Sequence, residues 1–191
     1  MDTPSSSHLT GRLLVAMPGI GDPRFERAVV FVCAHDDEHA MGLLINRPVE
    51  GLSVSQLLGR LGVKPSVDRS GDRVLLGGPV EGERGFVLHT DDHACAPSSI
   101  EVAQGIALTA TRDVLEAIAG HNSQPRRSLM ALGYAGWGAG QLENELRENV
   151  WLTCEADEDL VFGDDHEHKW SRALGKIGVA AEHLSAQAGR A

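Results

Sequence analysis

At 191 residues and 42% hydrophobic, the chain has material for one ordinary domain with its own core and too little for two. Its 27 acidic and 17 basic residues leave a formal net charge of −10, which argues against a nonspecific electrostatic grip on nucleic acid or an anionic membrane. Aromatics at 4% weaken a base-stacking surface, and no apolar run approaches the roughly 20 residues of a spanning helix, so a soluble, cytoplasmic protein is expected.

The opening MDTPSSSH lacks the charged and apolar regions of a secretory signal and reads as a disordered tail over 1–8. A single domain is expected over 9–185, with a frayed end at 186–191. Residues 13–17 read as a strand stopped by Pro18, and PGIGDP is dense in turn formers, with Asp22 placed to cap a helical turn opened by Pro23. Residues 28–34 (AVVFVCA) are apolar on both faces, as a central strand requires. HDDEH turns the chain into a partner strand over 40–46, making a hairpin that Arg47-Pro48 ends.

Ser53 is placed to cap a short helix with Val54, Leu57, Leu58 and Leu61 on one side, and 64–72 is polar connector. Two brief strands, 74–76 and 85–89, flank GGPVEGERG, which reads as a turn. Residues 99–109 form two short strands or one bulged strand around Gly105. Thr111 is placed to cap a helix through Ala119, with Val114, Leu115 and Ile118 inward and Gly120 stopping it. After a linker at 125–128 comes LMALGYAGWGAGQLENELRENVWL, residues 129–152. Here an apolar run ends at Tyr134, the glycines at 133, 136, 138 and 140 bracket Trp137 in a tight loop, and a helix follows from Gln141. A strand at 151–155, an acidic turn at 156–159 and a last helix capped by Asp164 or Asp165, with Trp170, Ala173, Leu174 and Ile177 inward, complete the chain. Short strands in adjacent pairs, with helices between and after them, give an α+β order.

The three cysteines are far apart and odd in number, which suits a reducing compartment and no disulfide framework. Cys33 and Cys154 lie in apolar runs and read as buried hydrophobes, while Cys95 is expected in a loop as the better candidate for a reactive thiol, with neighbouring acids expected to raise rather than lower its pKa. The sets His35–His39, His166-Glu167-His168 and His89 with Asp91, Asp92 and His93 hold metal-capable side chains. They lack the helical His spacing or cysteine pairs of a zinc site, so no metal is assigned.

Several blocks in register, LLVAMPGIGDPRFERAVVFVCAHDDEHAMGLLINRP, LLGGPVEGERGFVLH, IALTATRDVLEAIA, LGYAGWGAGQLENELRENVWL and the closing VFG with HKWSRALGKIGV, resemble the bacterial YqgE/AlgH family. The resemblance implies a cytoplasmic single domain of α+β fold, with a curled, mostly antiparallel sheet and flanking helices. It brings no established reaction, and one branch of that family carries a transcriptional-regulator label. The first hairpin departs from the family's Glu-His-Asn-x-x-Gly pattern, reading Ala34, His35, Asp36 and His39 here.

The strongest physical pointer to a site is the glycine loop feeding a helix, since unpaired amides and the helix dipole favour an anion there. Glycines used simply to pack Trp137 tightly are the competing account. A dinucleotide fingerprint can be sketched from Gly136 and Gly138 to Glu155, but its third small position is Gln141. The turn at Gly77, Gly78 and Arg84 lacks the Lys-Ser/Thr pair of a phosphate loop. Asn46-Arg47 offers a planar guanidinium for a carboxylate or phosphate, though such an arginine equally covers neighbouring carbonyls. The expected ligand-binding set is therefore Asn46, Arg47, Gly77, Gly78, Arg84, Gly136, Trp137, Gly138 and Gln141. It belongs to a regulatory or binding module that recognises a small anionic ligand or a protein partner. No catalytic residue or cofactor is assigned, and the alternatives are a nucleotide-dependent enzyme using the loop at 133–140 and a transcriptional regulator.

Overall fold

Apolar residues facing both ways along a strand demand cover on both sides, and the chain supplies it by building one ten-stranded sheet between helices. The computed structural model describes residues 8–92, 98–121 and 123–184. In chain order its elements are β1 (Arg12–Ala16), β2 (Val29–His35), β3 (His39–Leu44), β4 (Pro48–Ser53), α1 (Val54–Arg60), β5 (Arg73–Leu76), β6 (Val80–Thr90), β7 (Ser99–Ala103), β8 (Ile106–Thr109), α2 (Arg112–Ile118), β9 (Ser128–Gly138), α3 (Gln141–Arg147), β10 (Trp151–Glu155), α4 (Glu158–Phe162) and α5 (Lys169–Lys176). The tails expected at the two ends, apart from His8, and the loop carrying His93 and Cys95 lie outside the described residues.

The strand order is β10-β1-β2-β3-β9-β6-β8-β7, with β5 joining β4 to β9. Every pairing is antiparallel except β5 with β9. β9 is shared. Its first half pairs with β6 (Met130 opposite Val87) and β5 (Ala131 opposite Leu75), and its second half with β3 (Gly136 opposite Met41, Gly138 opposite His39). The change of partner falls at Gly133, whose φ of +73° suits glycine alone without strain.

Alternation along β1 shows how the sheet divides its burial. Leu13 and Val15 join Phe31, Leu43 and Leu88 under Trp170 and Leu174 of α5, while Leu14 and Ala16 join Val30, Val32, Trp137 and Trp151 under Leu142 of α3. A third cluster seats Leu57 and Leu58 of α1 and Val114 and Ile118 of α2 on Val74, Val87 and Met130. Ser53 caps α1 in a full capping box with Gln56.

Several expectations are corrected. Residues 135–138 form no loop; they continue β9, because β3 supplies their ladder. Residues 80–84 begin β6 rather than turning before it, and Pro48 opens β4, where its missing N–H costs nothing. Asp157 caps α4 through Leu160 N–H, so the acidic turn is a helix start. Thr111 makes no side-chain cap, and neither Asp164 nor Asp165 caps α5, which begins after a 3-10 turn at His166–His168.

The tightest backbone approach lies beside Gly133. A Cβ on Gly78 would sit 2.1 Å from the Tyr134 carbonyl carbon, and one on Gly77 would sit 2.3 Å from the Gly133 oxygen. Gly78→Ala is therefore expected to force β6 and β9 apart and cost more than about 3 kcal/mol. Urea unfolding checks this, and a loss under 1 kcal/mol is the result that contradicts it.

Candidate functional site

The glycine junction is occupied from within. Trp137 is buried, and its indole N–H donates to Glu145 Oε2 at 2.9 Å. Trp151 donates to the same oxygen at 2.8 Å, and Gln141 Nε2 holds Glu145 Oε1 at 3.1 Å. The Gly138 N–H donates to Gln141 Oε1 at 3.0 Å. Two residues before Glu145, the Glu143 carboxyl is held below its ordinary value by its own amide and by His35, whose Nε2 lies 2.6 Å away. Because His35 Nδ1 accepts from Leu9 N–H at 3.0 Å, Nε2 carries the proton toward Glu143. Glu145 is thus held by two indoles and the Gln141 side chain, while the Gly138 amide is taken by Gln141 itself. Gly136 and Gly138 lie in a strand, not in the strand-to-helix turn a dinucleotide fingerprint uses.

Gly77 and Gly78 are close-packing points against β9. Arg84 is exposed, pairs with Glu81 at 3.3 Å and lies over Phe86. The hairpin acids serve the backbone: Asp36 Oδ1 accepts from the amides of Glu38 and His39. His89 is buried, with Nε2 2.7 Å from Thr109 Oγ1. Among the described residues no three of His, Cys, Asp or Glu are grouped so as to hold a metal ion.

Asn46 and Arg47 belong elsewhere, to a groove of about 730 Å³. It is lined by residues 17–20, Glu26, Arg27, Asn46 and Arg47 together with residues 166–168, Trp170, Ser171, Ala181, Glu182 and Leu184. Arg47 sends Nη1 to the Arg24 carbonyl and Nη2 to the Glu26 carbonyl, both at 2.6 Å. Asn46 accepts from Val29 N–H at 2.9 Å and donates to the Arg27 carbonyl at 2.8 Å. Together they fix the turn in which Arg27 takes φ of 53°, a left-handed conformation rare for a long side chain. The Arg27 guanidinium then lies 5.4 Å from the Trp170 ring centre, and Trp170 is itself pinned by its N–H to the Ala16 carbonyl at 2.8 Å. Among the described residues neither Arg27 nor Arg47 contacts a carboxylate.

Beneath the groove, Lys169 is fully buried, donating to the carbonyls of Ile45 (2.8 Å) and Val161 (3.0 Å). Burial, and then the Arg172 charge, bring its pKa from 10.5 to about 7. His166 also lines a smaller cavity of about 200 Å³, and burial, then Lys169, lower its pKa to about 4. Its Nδ1 is buried with no hydrogen-bond partner.

A family model described as AlgH-like (DUF179) matches residues 13–182. The chain belongs to that family. A UPF0301 protein of Caulobacter vibrioides is 64% identical to this AlgH-like chain, covering all of it and 98% of the relative. A second UPF0301 protein, from Ruegeria pomeroyi, is 53% identical over 96% of this chain and 99% of its own. The solution structure of AlgH from Pseudomonas aeruginosa matches with a TM-score of 0.77 at 41% identity, with full coverage of both chains. A crystal structure from Corynebacterium diphtheriae shares the fold at a TM-score of 0.70 and 16% identity, over 91% of this chain and 88% of that one. The single domain with its curled, mostly antiparallel sheet and flanking helices is that of the AlgH structure. No described helix is long and apolar enough to cross a membrane.

Sequence reasoning named Asn46 and Arg47 but missed Arg27, and it treated Trp170 only as core. Lys169 had a signal: with Trp170, Ala173 and Leu174 it falls on the inward face of α5, where a lysine is out of place.

Two outcomes follow for the AlgH-like chain. Glu145→Ala strands two indole N–H groups and is expected to cost about 2–4 kcal/mol, whereas Glu145→Gln keeps an acceptor and costs less; urea unfolding followed by tryptophan fluorescence measures both. For Lys169, the unfolded chain binds one more proton than the folded one between pH 7 and 10.5, so this residue makes stability climb as pH rises through that window. Lys169→Met is expected to remove a rise of up to roughly 1.4 kcal/mol per pH unit from unfolding measured at pH 7, 8 and 9.

Proposed function

We propose that this AlgH-like protein is a binding module that takes a small anionic ligand in the groove beside Arg27 and Arg47. The observation that carries the reading is Arg27 itself. A left-handed backbone at a long side chain costs of order 1–3 kcal/mol, and Asn46 and Arg47 spend their hydrogen bonds maintaining it. The result is a guanidinium over a pinned indole, at the lining of the groove and in no ion pair among the described residues. Planar donors on a rigid platform suit a carboxylate or phosphate bound through two oxygens.

Arg47 adds charge without mobility, since backbone carbonyls orient its guanidinium but do not neutralise it. The groove offers no hydroxyl beside a free base: the Ser171 hydroxyl donates to the His168 carbonyl. Binding is therefore favoured over turnover. A nucleotide-dependent reaction draws no support from the glycines, which lie in β9, and a DNA-binding role is opposed by the net charge of −10.

Titration with ethyl phosphate under two-dimensional amide NMR tests the reading. Saturable shifts are expected at residues 17–20, 26–27, 46–47 and 166–171, with Arg27→Ala weakening binding by roughly tenfold, as for a charge-assisted pair. Shifts elsewhere, or an Arg27→Ala protein that binds as the parent does, sink it.

A further inference from the structure

Resting on that reading, the uncharged part of the lining narrows what the anion is attached to. Six apolar residues line the groove along with Arg27 and Arg47: Met17, Pro18 and Ile20 of the turn after β1, Trp170 of α5, and Ala181 and Leu184 beyond it. Ile20 packs on the cluster under α3, and Ala181 and Leu184 pack on the cluster under α5, yet all three are only half-buried. A hydrogen bond inside each turn, Ile20 N–H to the Met17 carbonyl and Leu184 N–H to the Ala181 carbonyl, both at 3.2 Å, holds these residues in place. The apolar surface is therefore preformed rather than assembled around a ligand.

The neutral polar groups of the lining are engaged within the chain. Asn46 bonds Val29 N–H and the Arg27 carbonyl, Ser171 donates to the His168 carbonyl, and the Trp170 N–H goes to the Ala16 carbonyl. A sugar or a nucleoside, whose hydroxyls and ring nitrogens need such partners, finds few here. A bare inorganic anion has the opposite fault. It touches the arginines and leaves most of a groove of about 730 Å³, with its apolar lining, in contact with water. Glu26, Glu167 and Glu182 also line the groove, so a second negative charge on the ligand gains from two arginines and loses to three carboxylates. We infer that the groove takes a small monocarboxylate with a short hydrocarbon body, its carboxylate on Arg27 and its carbons against Met17, Ile20, Ala181 and Leu184. Hydrocarbon buried there adds affinity without further polar contacts, as in pockets that pair an apolar lining with a few charged groups.

Amide NMR titrations of the full chain with acetate, butyrate, hexanoate, 1-hexanol and ethyl phosphate near neutral pH test this. A fully buried methylene is worth about fourfold in affinity; in an open groove each added methylene is expected to tighten binding roughly twofold. Hexanoate is then expected to bind roughly tenfold tighter than acetate, and to add shifts at residues 17–20 and 181–184 to those at 26–27 and 46–47. Butyrate is expected to bind more tightly than ethyl phosphate, a dianion of similar size, and 1-hexanol roughly tenfold more weakly than hexanoate. Ile20→Ser and, independently, Leu184→Ser are expected to weaken hexanoate more than acetate, and Arg27→Ala to weaken both. Equal affinities for acetate and hexanoate overturn the hydrocarbon body while leaving the anion site standing. Ethyl phosphate binding more tightly than butyrate overturns the monocarboxylate and likewise spares the anion site. A hexanoate advantage that survives both serine variants overturns the placement of the carbons. If no carboxylate and no phosphate binds, or 1-hexanol binds as tightly as hexanoate, the two readings fall together.

Discussion

The fold depends on β9 being shared, and the sharing depends on bare backbone. Gly77 and Gly78 let the chain between β5 and β6 run against the Gly133–Tyr134 peptide at a distance no side chain permits. From that contact β9 can pair with β5 and β6 on one stretch and with β3 on the next, so two halves of a curled sheet become one. The three hydrophobic clusters sit where this continuity puts them, two on opposite faces of the β1–β3 region and one under α1 and α2. The hairpin of β2 and β3, anchored to β9 through residues 39–42, carries Asn46 and Arg47 to the groove.

Strands whose side chains are buried on both faces were legible: 13–17, 28–34 and 40–46 are apolar without alternation, and the structure places β1, β2 and β3 there. The second half of β9 was not, because four glycines within eight residues look like a loop when the partner strand is unknown. Strand formation there comes from the ladder to β3, a long-range term that no local window contains. The exposed start of β6 and the short β4 were hidden for the same reason, being polar, glycine-bearing segments that owe their conformation to neighbours.

At the site the chemistry of the residues was easier to read than their address. The glycines before the helix suggest bare amides open to an anion near Trp137; in the structure the Gly138 amide goes to the Gln141 side chain, and Glu145 is held by the indoles of Trp137 and Trp151 and by Gln141. An arginine after a strand end suits an anion or neighbouring carbonyls equally; the Arg47 hydrogen bonds go to the carbonyls of Arg24 and Glu26, in the turn where Arg27 takes a positive φ. Arg27 had no signal of its own, since a positive φ at an arginine is imposed by distant residues. The groove is thus assembled by a positioning pair that the sequence displays and a cation that it does not.

The shared strand also dictates an order of events at the ribosome. β3, β5 and β6 all await partners in residues 128–138, so two-thirds of the chain must emerge before any of them can close its ladder on that side. Until then the apolar edges of β2 and β3 have only each other and β1. The ladders of β3, β5 and β6 to β9 are consequently pairings of long sequence separation, whose loop-closure cost falls late in the making of the chain.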